Sequence, residues 1–164
     1  MKSVDTIVDL CAQSLRTPLV ALMIFDDKSA SLMIRSIIGN STAQSQLLNF
    51  PVAMSASGMV REESGLVSIS DLGLRSDTLD AAERRKLGAT GFLGAPVFGP
   101  AGEVVGVLTA MTVTEHHWTN HERNVIASYA FLMSDQVLMR AALLTVKLMA
   151  QERDSLNAVP RLPN

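Results

Sequence analysis

The chain is poor in the residues that covalent or charge-driven chemistry needs. One cysteine, Cys11, occurs in 164 residues, which excludes an intramolecular disulfide and any all-cysteine metal site. Aromatic residues make up 4% of the chain and the formal charge is -2. With Lys and Arg scattered apart from Arg84, Arg85 and Lys86, nothing electrostatic points to direct nucleic-acid binding. Long hydrophobic runs are missing too. The longest, residues 19–25, is far short of the ~20 residues that span a bilayer. Near the N-terminus Asp5, Asp9 and Gln13 interrupt the apolar positions, unlike a signal peptide. A cytoplasmic location without membrane contact is the expectation. No repeat or Pro/Gly-rich linker divides the chain, and no Gly-rich phosphate loop, Gly-x-Ser-x-Gly elbow or metalloprotease motif occurs.

What the chain has is apolar material for one core: 48% hydrophobic against 18% charged residues. Val4, Ile7, Val8, Cys11 and Leu15 recur at helical spacing and Pro18 marks a boundary, so a short amphipathic helix opens the chain. Two strands follow, residues 19–25 and 31–38, joined by a polar turn. Residues 41–49 read as a helix, 50–55 as a short strand, 56–64 as one or two helical turns and 65–72 as a strand ending at Asp71. A helix is predicted over 76–87, with an Asp80–Arg84 pair and Gly88 as its stop. Next come two apolar runs around Gly99-Pro100-Ala101-Gly102, a hairpin. Strict alternation puts Val105, Val107, Thr109 and Met111 on one face of its second strand. Val104, Gly106, Leu108 and Ala110 then share the other, where Gly106 and Ala110 leave room for a packed helix.

The last element begins with Thr119 and Glu122 spaced as a capping box and contains no Pro or Gly before Pro160. It reads as one long helix with two adjacent apolar stripes. Leu132, Met139, Leu143, Val146 and Ala150 form one, Met133, Val137, Ala141, Leu144 and Leu148 the other. A sheet face buries only one such stripe, so the second wants a partner. Leu132, Gln136, Met139, Leu143 and Val146 fit a heptad seam for a second copy. Residues 151–164 read as the end of this helix and a frayed tail.

Candidate chemistry is thin. His116, His117 and His121 lie within six residues, but Thr119 as helix cap leaves His117 outside the helix, so no metal site is expected from them. Cys11 sits on an apolar helical stripe, as a small hydrophobe does. Asp71 reads as a strand-end turn residue.

In order, residues 50–72, the hairpin and the Trp118-Thr119 helix start resemble a GAF domain over about residues 3–150. The resemblance implies an α+β, GAF-like (profilin-like) fold: a six-stranded antiparallel sheet, its N- and C-terminal helices on one face and a ligand pocket under short helices and loops on the other. By position, the ligand-contacting residues it implies are Ile37, Ile38, Ala56, Ser57, Gly58, Met59, Leu72, Arg75, Leu79, Thr109 and Met111. The amides around Ser57 and Gly58 would accept an anion or a carbonyl oxygen. The family's free methionine sulfoxide reductases use several pocket cysteines, its bilin-binding members a chromophore cysteine and its cyclic-nucleotide members an Asn-Lys-Phe-Asp/Glu pattern. None of these residues is found here. The resemblance therefore implies a non-enzymatic sensory domain of a bacterial signal-transduction or transcription-regulation protein. It would bind an unidentified small molecule, use no metal or cofactor, and signal through its first and last helices in a homodimer. The alternative is a dimerisation module with an empty or vestigial pocket.

Overall fold

The opening apolar periodicity becomes helix α1 (Val4–Leu15), with Val4, Ile7, Val8, Cys11 and Leu15 all buried. The computed structural model describes residues 4–39 and 49–158. Six strands follow: β1 (Leu19–Asp26), β2 (Ser31–Ile38), β3 (Asn49–Pro51), β4 (Val67–Ile69), β5 (Gly91–Phe98) and β6 (Val104–Thr112). They form one sheet in the order β3-β2-β1-β6-β5-β4, and every neighbouring pair is antiparallel. Between strands lie a 3-10 turn, Val52–Met54, and helices α2 (Ala56–Glu63) and α3 (Ala82–Leu87), before the final helix α4 (Asn120–Asn157).

Each sheet face carries its own apolar core. On one face α1 and α4 bury Val20, Leu22, Leu93, Ala95, Leu108 and Ala110 with their own Val8, Cys11, Ile126 and Met133. On the other, α2, α3 and the loop between them roof over Ala21, Met23, Phe92, Val107 and Met111. Arg61 ties α2 to β1, its guanidinium 2.8 Å from the Asp27 carboxylate and 4.5 Å from the centre of the Phe25 ring.

Several local expectations change. Of the helix expected over 41–49, residues 41–48 lie outside the described residues, and Asn49 is not helical but begins β3. Past Pro51 the expected strand tightens into the 3-10 turn. The helix expected over 76–87 is helical only from Ala82. Its Asp80–Arg84 pair is replaced, with Arg84 Nη1 donating to the Leu79 carbonyl at 2.7 Å and Arg85 Nε to that of Asp80 at 3.0 Å. Gly88, at φ 69°, ends α3 as expected.

At the hairpin, Val97 pairs with Gly106 but Phe98 with Val104, leaving Val105 as an extra residue. The bulge reverses strict alternation where β6 begins. Val104 packs on the roof side and Val105 on the end-helix side. Gly106 also has a different reason. A Cβ there would stand 2.6 Å from the Met23 carbonyl oxygen, so the glycine serves the close approach of β1 and not of a helix.

Helix α4 starts with a full capping box: Thr119 Oγ1 accepts from the Glu122 amide at 3.1 Å and Glu122 accepts from the Thr119 amide at 2.9 Å. Its buried residues are Ile126, Ala130 and Met133, with Val137 packed beside them, and residues 142–157 are all exposed. Leu144 and Leu148 thus run out past the sheet along with Leu143 and Val146. Gln136 is half-buried, and its Oε1 has no hydrogen-bond partner among the described residues.

Burial fixes the character of the lone thiol. Cys11 is fully buried between α1 and the sheet, and desolvation pushes its pKa up to about 12. At pH 8 roughly one molecule in ten thousand then carries the thiolate. We expect thiol reagents to modify Cys11 only as fast as the domain opens, with full labelling in denaturant. Rapid stoichiometric labelling of the native protein would contradict this burial.

Candidate functional site

The roof is built around the first turn of α2. Ser55 caps it, its Oγ accepting from the Gly58 amide at 3.0 Å and donating to the Val52 carbonyl at 2.8 Å. The next two amides point inward, where they meet the Glu83 carboxylate of α3. Ala56 N donates to Glu83 Oε2 at 2.8 Å, and Ser57 N and Ser57 Oγ donate to Oε1 at 2.9 and 2.8 Å. Glu83 is 0% exposed. Of the amides expected to receive a ligand's oxygen, that of Ser57 thus holds a carboxylate of the chain itself and that of Gly58 the Ser55 hydroxyl. Three neutral donors and the positive end of α2 offset the desolvation of that charge. Ser57 Oγ also lies 3.4 Å from Met23 Sδ, which joins the cluster to the sheet.

The residues named from the sequence divide into three groups. Ile37, Ala56, Ser57, Gly58, Leu72, Thr109 and Met111 are buried, and Met59 packs against the roof-side core. Thr109 shows no exposure, and its hydroxyl donates to the Ala21 carbonyl of the adjacent strand at 3.1 Å. Arg75 and Leu79 stand at the rim, both exposed. Arg75 forms two bonds to the Asp77 carboxylate, 2.7 and 3.1 Å, and holds that carboxyl below its usual range. Ile38 is on the other side, against the end helices, because adjacent strand residues face opposite ways. A cleft of about 250 Å³ opens at the rim beside Met54, Ser55, Ser76, Thr78 and Asp80.

Glu83 was missed from the sequence, although a signal was there. In "AAERRKL" the three basic residues take the exposed arc, leaving Glu83 with Ala82 and Leu87 on the buried one. An acid on an apolar helical arc asks for donors.

The histidines make separate contacts. His116 Nε2 lies 2.9 Å from the Glu122 carboxylate, its ring edge-on to Trp118 at 4.4 Å, and Trp118 Nε1 donates to the Ile69 carbonyl at 3.1 Å. His117 pairs with Glu115 at 3.5 Å, and His121 is exposed. Burial raises the Glu122 carboxyl, but the Thr119 amide and His116 outweigh it, and its pKa falls below the ordinary value. A carboxylate with a lower pKa folded than unfolded favours the folded state above the unfolded value. That advantage disappears as pH falls through the folded one. Glu122→Ala is expected to lower stability by about 1 kcal/mol at neutral pH, with the difference from wild type shrinking below about pH 4. Urea titrations at the two pH values check both parts.

No family model matches the sequence, and no curated protein is similar to it. Solved structures are similar in fold. The GAF domain of a phosphoenolpyruvate-protein phosphotransferase from Coxiella burnetii superposes with a TM-score of 0.72 at 21% identity, over 87% of this chain and 84% of that one. A methyl-accepting chemotaxis protein segment gives 0.71 at 17% identity, over 86% and 89%. The free methionine-R-sulfoxide reductase of Neisseria meningitidis, solved with its substrate, gives 0.67 at 14% identity, over 82% and 75%.

Proposed function

Because the chain has the fold of GAF domains, we propose that it is a regulatory domain that takes up a small molecule between sheet and roof and transmits the event along α4 in a homodimer. The observation that carries the reading is α4 itself. Among the described residues, nothing covers residues 142–157, and Leu143, Leu144, Val146, Leu148 and Met149 are each more than half exposed there. A helical segment without tertiary contacts is marginal in water, and an apolar one is sticky as well. Pairing with a second copy cures both. Such a pair would connect the sheet's end-helix face to whatever responds.

The ligand-contacting set in this proposal is the roof-side group Ile37, Ser57, Met59, Leu72, Thr109 and Met111. Similar structures come from a phosphotransferase GAF domain and a chemotaxis protein, settings that accord with regulation. Others are reductases of free methionine sulfoxide. A non-enzymatic role is preferred because Cys11, the chain's one cysteine, lies across the sheet from the roof with its thiol raised to about 12.

A specific observation favours the second reading, a dimerisation module with a vestigial pocket: side chains fill the roof-side face and Glu83 occupies the inward amides. Native mass spectrometry separates the two. After incubation with a cell metabolite extract, one small molecule retained per chain supports the ligand-binding domain. A ligand-free dimer supports the module, and a ligand-free monomer overturns both.

A further inference from the structure

We propose that residues 71–90 form a lid latched over the roof-side sheet face, with the Glu83 carboxylate as its pin. The inference rests on the ligand-binding reading of that face and adds how the face is opened.

The segment is tied mostly to itself. Leu74 N donates to the Asp71 carbonyl, Thr78 N to that of Arg75 and Ala81 N to that of Thr78, while Thr78 Oγ1 reaches the Leu72 carbonyl at 3.0 Å. Arg84 and Arg85 bond the carbonyls of Leu79 and Asp80. Its two ends are joined to each other, Leu72 N donating to the Thr90 carbonyl at 2.8 Å, and Thr90 anchors them to the end of β6, its N donating to the Thr112 carbonyl at 2.7 Å and its Oγ1 to that of Val113 at 3.1 Å. Across to α2, the bonds are those of Glu83.

Its apolar hold on the core is modest. The segment contributes Leu72 and Leu87 with the small Ala81, Ala82 and Ala89. The core it joins includes Met23 and Met111, unbranched side chains that repack easily. A short unit joined at closely placed ends, with few large side chains in the core and Glu83 bonding it to α2, opens as a body before the sheet does. The cleft beside Ser55, Thr78 and Ala81 lies on the seam between lid and α2, where such an opening would start.

Thiol labelling of the intact chain tests the latch without a ligand. A Thr109→Cys variant carries one thiol on the roof-side sheet face, beside Val107 and Met111 in the pleat, and, in Cys11, a second on the opposite face as reference. Labelling by a small aromatic disulfide in native buffer is followed for each position by peptide mass spectrometry. The latch predicts faster labelling at position 109 than at Cys11. It also predicts that adding Glu83→Gln accelerates position 109 by about tenfold or more while Cys11 keeps its rate. Ser57→Ala, which removes one of the donors, should act in the same direction more weakly, and it carries the test if the Glu83 variant does not fold. Equal acceleration at both positions, or none at position 109, overturns the proposal and leaves Glu83 as a structural helix cap. The labelling can fail while a ligand is still found by mass spectrometry, and the reverse, so the two readings are judged separately.

Discussion

Gly39→Ala is expected to cost about 3 kcal/mol or more, enough to remove much of the stability of a domain this size. Gly39 has φ 103°, a conformation L side chains rarely adopt, and a Cβ there would overlap the Pro18 carbonyl oxygen. Backbone has to move to relieve that overlap. Pro18 has little freedom to do so, since its ring holds φ and Leu19 next to it is already paired with Met111 in the sheet. Gly102→Ala is the control: its φ is 81°, but nothing lies within 4 Å of the added Cβ. Only the conformational penalty applies, about 1 kcal/mol. Urea unfolding of the two variants should differ by about 2 kcal/mol or more. Equal losses would mean that Gly39 is kept for its dihedral angle alone, with the end of β2 free to move away from β1.

The second large effect concerns association. Changing Leu143 and Val146 to Glu together should turn a dimer into a monomer at micromolar concentration, read by light scattering. The side chains are 56% and 64% exposed in the single chain. Each of the four buried across a two-fold pair would contribute up to roughly 1.5–3 kcal/mol, so the dissociation constant should rise by at least about a thousandfold. Fold stability should not suffer, because neither residue packs in the domain and Glu is a good helix former. If the wild-type protein is already a monomer at high micromolar concentration, this face of α4 does not join two copies. The exposed apolar residues then require a different partner.

Much of this was legible along the chain because it is local. Helical spacing placed α1 and its five buried residues, Thr119 and Glu122 placed the start of α4, and the Gly99–Gly102 turn placed the hairpin. The antiparallel sheet with end helices on one face came from the resemblance to GAF domains, which the sheet order and its pairings match. At the roof, the resemblance pointed to Ala56, Ser57 and Gly58, which form the buried start of α2. It did not reach what fills it.

The tertiary structure decided that. Glu83 lies 26 and 27 residues from its partners Ser57 and Ala56, and no periodicity within either segment records the meeting. The bulge at Val105 depends on how β5 and β6 settle against each other, and it exchanges the faces of Val104 and Val105. Ile37 and Ile38 are equally apolar, so only the pleat of a placed strand tells the roof side from the helix side. Likewise the stripes of α4 continue unchanged along the sequence, but the sheet beneath them ends and leaves residues 142–157 exposed. Periodicity specifies which residues share a face of an element. What that face meets is set by the length, register and spacing of elements far away in the chain, and only packing brings those together.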